Sequence, residues 1–389
     1  MKRLGTVALL FCFLKADGLE NFLSANYNEL FSLQQAKSQN DADFESLSWI
    51  SPVTLSFERR WSNQIRGGWH PVNSYSVGID QPIFKSGGIY YGIQYAKSNF
   101  ALARANIAKN RLSLKANAIE LALKIRQTKF SIKKLQLQIK NRDIEIATIK
   151  ELYSAGLANS IDLDNALVKK DEATIALLDL EANLALLKAS FAKISDKPLK
   201  AIKIPNLKAP TIEEFLERNV DLELAKAKSR VTQNLYKMTW SKYLPTVSIS
   251  ARYTKLSQVQ PEQKDAFTNY SLRITLPLSV NMGNDIERQK LNSLLSKVEI
   301  KNSLRAAKED YKVALKKVAI INKRIKLAQK EVATYSRLLK KTKDLFKAGQ
   351  KSKQDVTLLA NSKRVAQLNV KIYKIEKELV LLGLHKKVR

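Results

Sequence analysis

The sequence predicts a mainly α-helical protein with a small β part, built from two copies of one unit. Three observations carry this. Leu114, Ala118, Leu121, Ile125, Thr128, Ile132, Leu135, Ile139, Arg142, Ile146, Ile149 and Tyr153 recur at alternating steps of four and three, and only Thr128 and Arg142 interrupt the apolar run. A stripe of that period and length marks a supercoiled helix packed along its whole length. Adding 193 to each number gives Ala307, Tyr311, Ala314, Val318, Ile321, Ile325, Ala328, Val332, Tyr335, Leu339, Thr342 and Phe346, a second stripe in the same phase. The same offset relates Phe22, Leu23 and Asn26 to Phe215, Leu216 and Asn219, Pro52 to Pro245, and Ala155, Gly156 and Asp162 to Ala348, Gly349 and Asp355. The chain is therefore a tandem repeat, with a first copy over 19–195, a linker over 196–211 and a second copy over 212–389. The third observation is a set of four period-two segments, two in each copy.

Met1, Lys2 and Arg3 precede the apolar run Leu4 to Leu14, and Ala16-Asp17-Gly18 has the small residues of a cleavage site. Residues 1–18 read as a secretory signal. The run is too short to span a bilayer, and Phe11 before Cys12 is too bulky for a lipoprotein site, so no lipid anchor is expected. Without residues 1–18 the chain holds 64 basic and 35 acidic residues, a net +29, and no cysteine. Its stability then rests on packing rather than disulfides.

Such a charge raises nucleic acid binding as a possibility. The basic residues, however, are spread along the helices between stripe positions, as on a solvated helix face, and export argues further against nucleic acid. The two histidines, His70 and His385, lie far apart, and there is no metal-spaced cluster and no glycine-rich phosphate loop after a strand. An enzyme, a cofactor and a metal site are not expected.

Leu19 to Trp49 is helical in pattern, and Pro52 ends it. Val53, Leu55, Phe57 and Trp61 then alternate with Thr54, Ser56, Glu58, Arg60 and Ser62. After the loop Asn63 to Pro71, the residues Tyr75, Val77, Ile79 and Ile83 alternate with Ser74, Ser76, Gly78 and Asp80, completing a hairpin. In the second copy Val247, Ile249, Ala251 and Tyr253 begin the matching hairpin, and Leu272, Ile274, Leu276 and Leu278 close it. Strands of about ten residues can cross an outer-membrane-type bilayer at a tilt. Four cannot close a barrel, since about eight is the smallest number known, and an open edge cannot face lipid. A membrane reading therefore requires oligomerisation; a soluble four-stranded sheet packed on helices is the alternative.

Ser86, Gly87 and Gly88 turn the chain into the first long helix, which runs to about Glu151. Leu112, Ala116, Ile119, Leu123, Phe130 and Leu137 add a second apolar row to it, so it must touch neighbours on two sides. Gly156 supplies a left-handed C-terminal turn, and Asn159 with Asp162 forms a capping box that opens the returning helix, Ser160 to Ile194. Gly349, Ser352 and Asp355 repeat the arrangement ahead of a return over Ser352 to Leu384. Ser195 to Pro210 carries Pro198, Pro205 and Pro210 and cannot be a continuous helix. Thr211 to Glu214 forms another capping box, restarting the helix that leads to Pro245.

Assembled, these parts resemble the TolC family of outer membrane efflux proteins. The resemblance rests on Tyr243-Leu244-Pro245-Thr246-Val247-Ser248, on Gln81-Pro82-Ile83-Phe84-Lys85-Ser86-Gly87-Gly88, and on the tips Tyr153 to Leu157 with Asp162 and Phe346 to Gln350 with Asp355. With the duplication and the signal these cover nearly all of the mature chain. The resemblance implies a homotrimer in the outer membrane of a Gram-negative bacterium. Three chains of four strands would make one twelve-stranded transmembrane barrel, and the long antiparallel coiled-coil helices would make an α-barrel through the periplasm. It also implies a passive exit duct for a tripartite efflux pump or a type I secretion system, joined to an inner-membrane pump by a periplasmic adaptor. A secreted, soluble coiled-coil interaction protein is the alternative. Asp355 aligns with an inward acidic ring at the narrow end. Leu358 stands where relatives carry a second acidic ring, so the full two-ring constriction is not implied. Asp162, Phe346 and Lys351 fall at positions that hold the entrance closed, with Phe346 in place of a tyrosine. Ala155, Gly156, Leu157, Ala348, Gly349 and Gln350 fall at the tips that meet the adaptor. Asp162 and Asp355 can equally serve as first-turn carboxylates that cap their helices. Three Asp355 side chains at one constriction would repel, raising the proton affinity of at least one, while Lys351 and Lys353 would weaken cation selectivity. The substrate is not encoded in these features.

Overall fold

A computed structural model of the chain describes residues 23–62, 68–199, 207–257 and 264–389; the signal segment 1–18, residue Phe22 and most of the loop Asn63 to Pro71 lie outside them. The elements are α1 Ala25–Leu47, β1 Thr54–Ser62, β2 His70–Phe84, α2 Gly88–Ser154, α3 Ser160–Ala192, α4 Ile212–Glu217, α5 Val220–Ser241, β3 Thr246–Ser257, β4 Ala266–Thr275, α6 Met282–Lys347 and α7 Lys353–His385. The order helix, hairpin, long helix, return helix occurs twice. The chain divides into two compact units that cut across these copies. One comprises Met1–Phe31, Asn110–Asn219 and Ala307–Arg389; the other comprises Ser32–Lys109 and Val220–Ala306.

The second unit holds the sheet. Its strands run in the order β1-β2-β3-β4, every neighbour antiparallel. Val77 pairs with both Leu55 and Tyr253, and Leu272 pairs with Ile249. Period-two alternation therefore puts Leu55, Phe57, Val77, Ile249, Tyr270 and Leu272 on one face. Ser56, Ser76, Ser250, Arg252, Ser271 and Arg273 occupy the other, where the Ser56 and Ser76 hydroxyls meet at 2.7 Å and those of Ser250 and Ser271 at 2.6 Å. Strand length departs from the uniform ten residues expected. β2 has 15 residues. It bulges between Pro82 and Phe84, beyond the last β1 pair, where only β3 remains as a partner and a proline costs no second ladder bond. β4 stops at Thr275, so Leu276 and Leu278 are not strand residues. Their partners would lie before Thr246, where Pro245 lacks the donor that pairing needs.

Helix α1 ends at Leu47, earlier than Pro52 requires. The Gln81 side chain closes the turn beyond it, accepting from the Ser51 N–H at 2.9 Å and donating to the Trp49 carbonyl at 3.1 Å. Ser86, at φ +47°, donates its hydroxyl to the Pro245 carbonyl at 2.6 Å, tying the entry of α2 to the entry of β3. Tyr243 donates to Asp285 at 2.9 Å, a bond that holds the Asp285 carboxyl below its ordinary value.

The first unit is helical. The two rows on α2 meet two neighbours. Ala118, Ala122 and Ile125 pack with Phe191 of α3, while Ala116, Ile119 and Leu123 pack with Ile375 and Leu382 of α7. The expectation of neighbours on two sides holds. The helix expected to run unbroken from Thr211 to Pro245 is instead two, α4 and α5. The Thr211–Glu214 capping box is present. The chain then leaves the helix at Arg218 and Asn219, where buried Asn219 bridges to Val388 and the Arg218 carbonyl accepts from the Arg389 N–H at 3.1 Å. Contacts with the C-terminal segment override a locally helical sequence.

Candidate pore entrance

Both helical hairpins close in the same way. The Gly156 N–H bonds the Tyr153 carbonyl at 3.0 Å and the Leu157 N–H bonds the Leu152 carbonyl at 2.8 Å. The Gly349 N–H bonds Phe346 at 3.0 Å and the Gln350 N–H bonds Leu345 at 2.9 Å. These are paired Schellman closures that satisfy otherwise orphaned helix carbonyls. They require a left-handed residue, which Gly156 at φ +73° and Gly349 at φ +75° provide. The returning helices start on reciprocal capping boxes, Asn159 with Asp162 and Ser352 with Asp355. The capping roles read for both aspartates are therefore present.

Glu151 of α2 and Ser352 beside α7 line one groove of about 950 Å³, so the two turns lie at the same end of the unit. Asp355 and Leu358 also line it, with Arg142 and Glu145 of α2 and Tyr335 of α6. Arg142, an interruption of the α2 stripe, pairs with Glu145 at 2.6 Å on the groove wall; Thr128, the other interruption, is buried. Asp355 and Leu358, the two positions expected at the constriction, thus line the same groove. In the single chain the three residues expected to close the entrance have separate surroundings. Asp162 caps α3 through Asn159, Lys351 lies 3.9 Å from Asp355, and Phe346 is partly exposed.

Asp355 titrates below the ordinary carboxylate value of 3.8, first because the Ser352 backbone N–H and then its hydroxyl donate to it, with Lys351 adding to the effect. Within one chain this opposes the rise that repulsion between three copies would cause. The sign follows from linkage: a carboxyl depressed in the folded state contributes stability above its unfolded value, and that contribution is lost as pH falls through the folded value. Hydrogen exchange at residues 353–356, corrected for its intrinsic pH dependence, should show α7 fraying below about pH 4. The loss should be on the order of 0.3–1 kcal/mol, near the lower end because the side chain is well solvated. Asp355→Asn should remove the pH dependence, and an unchanged profile in that variant would place the titrating group elsewhere.

Sequence reasoning missed a polar link across the groove. Asn361 donates to the Asn141 side chain at 2.9 Å, and Asn141 donates to the Ser362 hydroxyl at 3.3 Å, joining α2 to α7. Asn361 is 6% exposed. The signal was present: Leu358, Val365, Leu368, Ile372, Ile375, Leu379 and Leu382 form the α7 stripe, and Asn361 is its one polar member. A single asparagine in such a seam fixes helix register at some cost in stability.

No helix among the described residues is long and apolar enough to cross a membrane. Residues 32–194 match the family model described as Outer membrane efflux protein. The whole chain has the fold of outer membrane channels. It is similar to the outer membrane protein VceC of Vibrio cholerae, with 14% identity, 94% of each chain covered and a TM-score of 0.74. Similarity to the Campylobacter jejuni CmeC outer membrane channel is at 16% identity and a TM-score of 0.74, covering 94% of this chain and 83% of that one. The Neisseria gonorrhoeae MtrE outer membrane channel, solved in its open state, matches at 15% identity and a TM-score of 0.69 over 95% and 86%. No curated protein matches the sequence. The family match over most of the first copy and the channel fold over the whole chain agree with the TolC-family resemblance read from the strand and tip motifs.

Proposed function

We propose that three copies of this chain form an exit duct in the outer membrane of a Gram-negative bacterium, passing substrates outward from a periplasmic adaptor and an inner-membrane pump. The observation that carries this is the sheet. One face is apolar yet exposed, with Leu55 at 82% and Leu272 at 68%, while the opposite face is lined by serines and arginines. In water the apolar face is costly, and in a closed barrel it meets lipid while the polar face lines a lumen. β1 and β4 are open edges of the sheet, and joining β1 of one copy to β4 of the next removes every edge. The helices support the same assembly. Ile161, Val168 and Ile175 on α3 and Val313, Ile320 and Leu327 on α6 recur at every seventh residue and are exposed in the single chain, as seams between copies would be.

In this assembly the tips Ala155 to Leu157 and Ala348 to Gln350 face the adaptor, and Asp355 with Leu358 rings the entrance. Asp162, Phe346 and Lys351 reach neighbouring helical pairs to hold it closed. A soluble coiled-coil protein would have to cover the apolar sheet face by other means. Mass-resolved sizing in detergent should give a trimer, and reconstituted wild type should conduct. Asp355→Asn should abolish block by multivalent cations added on the periplasmic side. A monomeric or dimeric particle without conductance would overturn the duct. Conductance with identical cation block in both proteins would remove Asp355 from the constriction and leave it a helix cap.

A further inference from the structure

The two tips are equivalent in backbone and opposite in chemistry. Residues 340–355 carry six lysines and two aspartates, a net +4, whereas the matching residues 147–162 carry Lys150 against Glu151 and Asp162, a net −1. Lys340, Lys343 and Lys347 recur at steps of three and four and share one face of α6. Lys341, Lys351 and Lys353 stand beside them, and all six are exposed. Only Lys351 has an acidic partner among the described residues, Asp355 at 3.9 Å. Elsewhere on α6, Lys290 pairs with Glu287 and Lys312 with Glu309. The first tip presents apolar groups instead. Leu157 is 75% exposed, Tyr153 and Ile161 are exposed beside it, and the position matching Leu157 in the second tip is Gln350.

We infer that the α6–α7 tip is a docking surface for an acidic turn of a helical partner, its lysines meeting carboxylates, while the α2–α3 tip offers the same partner an apolar contact. This rests on the duct proposed above, in which both tips face the adaptor. A discrete partner fits better than an anionic bilayer. An anionic membrane lying across this end would also meet the α2–α3 tips, whose net negative charge it would repel. At the basic tip, nothing lies within 4 Å of the position a Cβ on Gly349 would take, leaving open space against which another helical turn can abut. Opposite charge across such a contact sets partner choice and encounter rate.

The test uses the detergent-solubilised full chain and two synthetic helical hairpins that differ only in carrying four glutamates or four glutamines around the turn. Wild type should bind the glutamate hairpin about tenfold tighter at low salt, with the difference shrinking as salt screens it. The triple variant Lys340→Glu, Lys343→Glu and Lys347→Glu should lose that preference, and Leu157→Ala should keep it while weakening both hairpins alike. Equal binding of the two hairpins by wild type, or a preference that survives the triple variant, overturns the proposal. So does equally tight, lysine-dependent binding to phosphatidylglycerol vesicles, which would assign the tip to lipid. Planar-bilayer conductance separates this from the parent reading. Conducting wild type and triple variant without hairpin preference sinks only the docking surface, whereas a non-conducting wild type sinks the duct.

Discussion

Leu55→Arg should abolish accumulation of the protein in the outer membrane, while Ser56→Arg, one residue further on, should leave it there. The two side chains are both exposed in the single chain and lie on opposite faces of β1. Leu55 pairs with Val77, which in turn pairs with Tyr253, so it sits level with the middle of β2 and β3. An arginine on the lipid face near the bilayer midplane costs about 2–4 kcal/mol, and the proposed barrel would carry it three times. Ser56 faces Ser76 across the polar face, with Glu58 two residues along the same strand. An arginine there enters a solvated lumen and gains a nearby carboxylate. For a soluble protein the expectation inverts, because charging an exposed leucine changes stability by no more than about 0.5 kcal/mol. Outer-membrane fractionation and channel conductance read the outcome. If the two variants behave alike, the apolar face does not meet lipid and the barrel is wrong.

What could be read in the sequence was what is local or periodic. The α2 and α6 stripes, the glycines at φ +73° and +75° and all three capping boxes involve residues within a few turns of one another, so spacing alone specifies them. The second row on α2 gave the number of neighbours but not their identity. Phe191 and Ile375 reach its two sides only through the tertiary fold. The misread features all depend on partners distant in sequence. α4 and α5 separate because Asn219 bridges to Val388, and β4 ends where β3 begins after a proline. Asn361 was hidden in the same way, its role being set by Asn141 on another helix. Among the site residues, those whose role lies in their own turn were legible. Those proposed to act between copies, Asp162, Phe346 and Lys351, have in one chain only local surroundings.

Phe215→Ala should be the most destabilising single substitution in the helical unit, costing about 3–5 kcal/mol. By sequence Phe215 marked only the repeat, as the counterpart of Phe22. In the structure its side chain is fully buried, at 0% exposure, with its ring 5.3 Å from that of Tyr311. Tyr311 belongs to the α6 stripe and donates its hydroxyl to the Pro210 carbonyl at 2.8 Å. The one ring therefore holds α4 against α6 where the linker meets the second copy. Beside it, Lys387 pairs with Asp310 at 2.6 Å and Val388 bridges to Asn219, bringing the C-terminal segment to the same place. Truncation to alanine removes the transfer free energy of the ring and leaves a cavity that three converging segments cannot easily close. Phe215→Leu keeps most of the volume and should cost less than half as much. Tyr311→Phe keeps the ring contact and loses one hydrogen bond, about 1 kcal/mol plus any cost of the unpaired carbonyl. Thermal unfolding in detergent should rank the variants in that order, alanine lowest. If Phe215→Ala and Tyr311→Phe lower the transition equally, the hydrogen bond rather than the buried ring anchors the linker to α6.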